Sequence, residues 1–120
     1  MPLPPKLLHC EDIEGGITVV TINDEKVLNE QRIRMLREQL FQLVRDLGKN
    51  KILLDFKKVV FFSSAGLQTL ISLHREVERL GGKLVFCSIC PHFYDLLKIT
   101  KLHTVFDIQS DLPSGIKVFA

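Results

Sequence analysis

The stretch that most limits how this chain can fold is 59–67, in which four apolar residues lead into two serines, an alanine and a glycine. Beyond it, apolar residues recur at the spacing of one helix face: Leu67, Leu70, Ile71, Leu73, Val77 and Leu80. Serine is favoured at a helix N-terminus because its oxygen accepts a hydrogen bond from an unpaired N–H of the first turn. The pattern predicts that a helix begins at Ser63 or Ser64, with a hydroxyl that a partner can reach.

The rest of the chain alternates between strand-like and helix-like segments. Two runs, 7–13 and 17–22, flank Glu14-Gly15-Gly16, and this arrangement predicts a hairpin. Asn29 is predicted to cap a helix whose apolar stripe is Ile33, Leu36, Leu40, Leu43, Val44 and Leu47. Further strands are predicted over 51–56, 83–87 and 104–108, and further helices over 64–80 and from Pro91 onward. The tail, 109–120, fits a helix or a strand.

This order of segments predicts an α/β fold. Strands that alternate with helices pair in parallel through right-handed crossovers, and the hairpin adds one antiparallel pair. We therefore expect a mixed sheet of about four to five strands, with helices packed mainly on one face. A lead-in over 1–6 would precede a single domain over 7–120.

Composition narrows the classes of function. The chain has 120 residues, 46% of them hydrophobic, with a net charge of +2 and no dense basic tract, which argues against binding to nucleic acid or an anionic membrane. No apolar run approaches the roughly 20 residues of a membrane span. The three cysteines form no even-numbered disulfide framework. These features favour a cytoplasmic protein with no membrane partner.

No pattern of residues predicts catalysis. The four histidines are scattered, and no HExxH, GxSxG, GxGxxG or Walker A pattern is present. Cys87 and Cys90 form a CxxC, which is interpreted as two buried inert thiols, as a redox pair using Cys90 at a helix N-terminus, or as half of a zinc site. We expect no enzyme activity, no cofactor and no metal.

Several segments together resemble the STAS domain of bacterial anti-sigma factor antagonists. They are Leu54-Asp55-Phe56, Val59, Phe61, Ser63-Ser64-Ala65-Gly66-Leu67, Gly81-Gly82-Lys83-Leu84, Cys87-Ser88-Ile89-Cys90-Pro91, and Leu96, Leu97, Ile99 and Leu102. The family motif before the central helix is Asp-Ser-Ser/Thr-Gly-Leu. Matched to it, Ser64 falls on the phosphorylated serine, Ala65 on the second Ser/Thr, Gly66 on the glycine, and Ser63 replaces the acid.

The resemblance implies a switch that is not an enzyme. Unphosphorylated, the domain would bind an anti-sigma factor of the serine-kinase type through Ser63, Ser64, Ala65, Gly66 and the loop around Asp24. Phosphorylation of Ser64 would release the partner, and a phosphatase would restore binding. Two alternatives stay open: a STAS scaffold that binds a partner or a nucleotide without phosphorylation, and a small thiol redox protein using Cys87 and Cys90. Ser64 as a purely structural helix cap is the simplest interpretation of that residue.

Overall fold

A computed structural model describes residues 7–27 and 29–119 of the chain. The predicted lead-in over 1–6 lies outside the described residues. Strands in the described part are β1 (Leu8–Ile13), β2 (Ile17–Ile22), β3 (Lys26–Val27), β4 (Lys51–Asp55), β5 (Phe61–Phe62), β6 (Lys83–Cys87) and β7 (Asp107–Gln109). Its α-helices are α1 (Glu30–Arg45), α2 (Ser64–Arg79), α3 (Pro91–Ile99) and α4 (Leu112–Lys117).

The main sheet has the order β1-β2-β4-β6-β7 within the described residues. β1 and β2 pair antiparallel, Leu8 opposite Ile22, and the remaining neighbours pair in parallel. The glycine pair makes the hairpin turn possible, since Gly15 and Gly16 both adopt positive φ. The predicted hairpin and mixed sheet are confirmed, and the sheet has five strands where about four to five were expected.

Alternate residues of the central strands pack into two separate apolar layers. Ile52 and Leu54 of β4 pack into the large core under α1, α2 and α3, whereas Leu53 between them packs into a smaller cluster with α4. All three strand residues are fully buried because helices cover both faces of this sheet. Three of the four α-helices in the described part lie on one face, as predicted, and α4 resolves the open question of the tail.

The structure differs from the predictions at three places. Leu47 and Leu80, predicted as the last residues of the α1 and α2 stripes, are 58% and 43% exposed because α1 ends at Arg45 and α2 at Arg79. The last strand begins only at Asp107, since residues Leu102–Thr104 form a 3-10 turn. The third difference is a two-stranded sheet of β3 and β5, which pair in parallel and were not predicted.

Glu76 ties the C-terminal ends of α1 and α2 together. Its carboxylate accepts from Arg79 of the same helix at 2.6 Å and from Arg45 of α1 at 3.3 Å. These hydrogen bonds, with that from Arg79 the stronger, lower the pKa of Glu76 from 4.5 to about 2.

Glu76→Gln is therefore expected to lose stability at neutral pH and to approach wild type in acid. A carboxylate with a lowered pKa stabilises the fold above its unfolded-state pKa, near 4.5, and this contribution disappears as the pH falls toward 2. Urea unfolding at pH 7 and at pH 3 measures the difference. Glu78→Gln, on the exposed side of the same helix, is the matched control. A stability difference between the Glu76→Gln variant and wild type that stays constant over this range would contradict the assignment.

Candidate functional site

Ser63, rather than Ser64, caps the central helix. The Ser63 Oγ accepts from the Gly66 N–H at 3.2 Å, and the Ser63 N–H donates to the Val27 carbonyl at 3.0 Å. Ser64 is the first residue of α2 and is exposed. Among the described residues, no hydrogen bond engages the Ser64 hydroxyl. Capping and exposure are thus divided between the two serines, which sequence spacing left undecided.

Backbone N–H groups without a helix partner lie at the start of α2, where Ser64 is the first residue. The first bond of the helix ladder joins the Leu67 N–H to the Ser63 carbonyl at 2.9 Å, so the N–H groups of Ser64 and Ala65 have no partner within the helix. They lie at the positive end of a 16-residue helix dipole. Ala65 is exposed and adds only a methyl group. This helix end can accommodate an anion attached to Ser64.

Gly66 is required by close packing rather than by its backbone angles. A Cβ built on Gly66 would lie 2.4 Å from Cδ1 of Phe62, the last residue of β5. The Phe62 ring is fully buried and stacks on the Phe93 ring with centroids 5.4 Å apart. The absence of a side chain at Gly66 lets the first turn of α2 lie directly on this aromatic core.

The segment containing Asp24 lies beside the N-terminus of α2, as the resemblance implied. The Glu25 carbonyl accepts from the N–H groups of Val60 at 2.7 Å and Phe61 at 3.1 Å, and β3 then pairs with β5. The Asp24 carboxylate is held by the guanidinium of Arg32 through two bonds of 2.6 and 2.8 Å. Arg32 was not singled out from the sequence, because a separation of eight residues across a loop has no periodic signal.

An apolar groove opens next to Ser64, between the N-terminal end of α2 and the exposed face of α3. Its volume is about 330 Å³, and its lining comprises Phe61, Phe62, Ser64, His92, Asp95, Leu96 and Ile99. Within the described structure no hydrogen bond joins the side chains of Ser64, His92 and Asp95. No sequence pattern predicts this groove, because its two walls are separated by about thirty positions in the chain.

The two cysteines of the CxxC lie on opposite faces of the sheet. Cys87 packs with Leu53 and Val85 in the α4 layer, whereas Cys90 packs against the large core and donates to the Val60 carbonyl at 3.5 Å. In the described part of the chain, no three His, Cys, Asp or Glu side chains are placed to hold a metal ion. No helix there is long and apolar enough to cross a membrane.

Cys87 is expected to resist alkylation in the folded protein. Burial, reinforced by the nearby Asp55 carboxylate, raises the pKa of its thiol from 9.0 to about 11, which lowers the thiolate fraction at pH 8 by about 100-fold. Iodoacetamide labelling followed by peptide mass spectrometry, with and without guanidinium, measures this protection. Rapid labelling of Cys87 in the native protein, at the rate seen in guanidinium, would contradict it.

Comparison with known proteins agrees with this architecture. A family model described as the STAS domain matches residues 12–115. BtrV of Bordetella bronchiseptica, which carries the name of an anti-sigma factor antagonist, is 25% identical over 93 residues, covering 78% of this chain and 79% of its own. A Thermotoga maritima structure, described under the same name, superposes with a TM-score of 0.84 at 18% identity, covering 93% of each chain.

A further structure, that of the Bacillus cell fate determinant SpoIIAA in the phosphorylated form, has a TM-score of 0.70 at 14% identity and covers 92% of this chain and 98% of its own. At such identities the structural likeness shows the fold alone. The family model spans most of the chain and includes the hairpin's second strand, the central helix and α3. The resemblance inferred from the residues is therefore confirmed: this chain belongs to the STAS domain family, among whose members are proteins named anti-sigma factor antagonists.

Proposed function

We propose that this protein is a cytoplasmic anti-sigma factor antagonist, a binding module without enzyme activity that is regulated by phosphorylation of Ser64. The observation that carries the proposal is the exposed Ser64 hydroxyl at the N-terminus of α2, beside two backbone N–H groups without helix partners. The relatives named as anti-sigma factor antagonists support the class of partner, an anti-sigma factor. Our proposed partner is one of the serine-kinase type, with a phosphatase for the reverse step.

The physical basis of the switch is a change of charge without a change of fold. A phosphate adds about −1.5 to −2 charges and three strong acceptors. At the start of α2 it meets the positive end of the helix and free donors, so the helix tolerates it. A partner that docks on the same surface would have to dehydrate this dianion. Because that dehydration is costly, phosphorylation makes binding unfavourable. Ser63 and Ala65 would form the rest of the contact surface, and the buried Gly66, which the resemblance also implied as a contact residue, would support this surface from below through its packing on Phe62.

The test is phosphorylation by purified kinases. Wild type and Ser64→Ala are incubated with ATP and each serine-kinase anti-sigma factor encoded in the same genome, and phosphopeptides are located by mass spectrometry. Phosphate on Ser64 that is absent from the variant is the expected result. No phosphate on Ser64, with every kinase active on a control substrate, would overturn the switch and leave a scaffold that binds its partner or a nucleotide constitutively.

Asp24 is proposed to act by holding the loop beside Ser64 rather than by direct contact alone. Asp24→Ala removes both hydrogen bonds from the Arg32 guanidinium. The backbone amide hydrogens of Val60 and Phe61, which donate to the Glu25 carbonyl, should then exchange with solvent about tenfold faster. Partner binding should weaken by about threefold to tenfold. Asp46→Ala, at the exposed end of α1, is the matched control. Unchanged exchange at Val60 and Phe61 would refute the positioning role.

A further inference from the structure

We infer that the groove beside Ser64 receives an apolar side chain of the partner that is flanked by a basic residue, and that Ile99 and Asp95 select this pair. The inference rests on the proposed function for the identity of the partner, an anti-sigma factor. Beyond the proposed function, the inference specifies the chemistry of the partner's contact surface. The groove is defined by Phe61, Phe62, Ser64, His92, Asp95, Leu96 and Ile99.

The apolar part of the groove is open to solvent. Ile99 is 79% exposed, more than any other large hydrophobic side chain among the described residues. Leu96 and Phe61 are half-buried beside it, and the fully buried Phe62 forms the floor. The α3 stripe that packs inward uses Phe93 and Leu97, so folding of the domain does not require an apolar residue at position 99. A partner side chain that covers Ile99 would gain the free energy of burying this surface.

The charged part of the groove, Asp95, favours a partner with a basic side chain. Asp95 contributes an exposed carboxylate to the wall, and no cation of the described residues lies within ion-pair distance of it. The neighbouring Lys98 instead lies over the Tyr94 ring, 5.9 Å from its centroid. A partner that covers Ile99 also removes water from Asp95, and an uncompensated carboxylate is costly to bury. A lysine or arginine next to the apolar anchor compensates this charge.

The groove also explains how Ser64 could control access. Ser64 lies on its lining, so a phosphate there would place a strongly hydrated dianion at the edge of the apolar surface. The partner's cation would be attracted to it, but an exposed ion pair contributes little, whereas the dehydration of the phosphate opposes entry of the apolar anchor. Exclusion of the anchor therefore outweighs attraction of the cation.

The first experiment does not depend on the partner. Two helical peptides of about 15 residues present a leucine with either an arginine or a glutamate one turn away, and each is titrated to about 5 mM into the ¹⁵N-labelled protein. The arginine peptide should shift the amides of Ser64, Leu96 and Ile99, the glutamate peptide should not, and Asp95→Lys should reverse this preference. Equal shifts with both peptides, shifts confined to other surfaces, or none would overturn the inference.

The second experiment uses whichever serine-kinase anti-sigma factor binds the wild type. Ile99→Ser and Asp95→Asn should each weaken binding about tenfold, whereas Val105→Ser, a substitution of an exposed apolar residue outside the groove lining, should change it by less than about twofold. Because all three side chains are exposed, the variants should remain folded. Undiminished binding by both groove variants would overturn the groove inference alone. Failure of every kinase to bind wild type would overturn the proposed function. The peptide titration alone would then test whether the groove binds an apolar side chain flanked by a basic residue.

Discussion

Ser64→Glu is expected to lose at least about 30-fold in affinity for the anti-sigma factor partner, equivalent to about 2 kcal/mol. The introduced carboxylate lies at the start of α2, where the helix dipole and the free N–H groups of Ser64 and Ala65 accommodate it. The domain should therefore stay as stable as wild type while its docking surface gains a charge that binding must dehydrate. Isothermal titration calorimetry measures the affinity, and urea unfolding measures the stability.

Two matched variants separate charge from structure in this experiment. Ser64→Ala should bind like wild type, because among the described residues the Ser64 hydroxyl makes no hydrogen bond. Ser63→Ala removes the cap bond to Gly66 and should cost about 0.5–2 kcal/mol of stability, and because it adds no charge its loss of affinity should be much smaller than that of Ser64→Glu. Tight binding by Ser64→Glu, equal to that of Ser64→Ala, would contradict control by charge at this position and favour a scaffold that is not regulated there.

Gly66→Ala is expected to destabilise the fold by about 1–3 kcal/mol, although alanine has a higher helix propensity than glycine by about 1 kcal/mol. The new methyl carbon would lie 2.4 Å from Phe62 Cδ1. The ring cannot move aside freely, since it is stacked on Phe93 and packs edge-on against Phe56 at 6.0 Å. The midpoint of urea unfolding should fall, and the N-terminus of α2 should shift away from β5.

A compensating substitution tests this explanation of Gly66. In Gly66→Ala/Phe62→Leu the smaller side chain makes room for the methyl group, so the double variant should be more stable than the sum of the two single effects predicts. Ala65→Ser, at the neighbouring exposed position, should change stability by less than about 0.5 kcal/mol. Strict additivity in the double variant would show that the contact with Phe62 is not the cause.

Local patterns were sufficient for most elements of this fold. The glycine pair between two β-branched runs predicted the hairpin, and Asn29 was predicted as the N-cap of α1, where its side chain accepts from Gln31 and Arg32. Such features depend on residues only a few positions apart in the chain, so they can be predicted from a single sequence. The position of Ser64 at the start of α2 was predicted in the same way, to within one residue.

Other features depend on residues that are distant along the chain. β3 and β5 are two residues each, too short for any periodicity, and they exist because Glu25 and Val27 accept hydrogen bonds from the segment before α2. The stripe of α1 was extended wrongly to Leu47 because spacing alone does not reveal where a helix stops. The position of the segment after Asp24 beside β5 and Ser63 likewise depends on backbone pairing through Glu25 and Val27.

Local propensity and burial period were enough to predict the order of the five main-sheet strands, helices α1 to α3 and the small-residue turn at the start of α2. The packed fold was needed to show that Ser63 is the cap and Ser64 the exposed hydroxyl, and that Ser64 of α2 shares a groove with Asp95 and Ile99 of α3. The physical reason is that a groove consists of surface left uncovered when elements pack, and its chemistry depends on which side chains packing does not use.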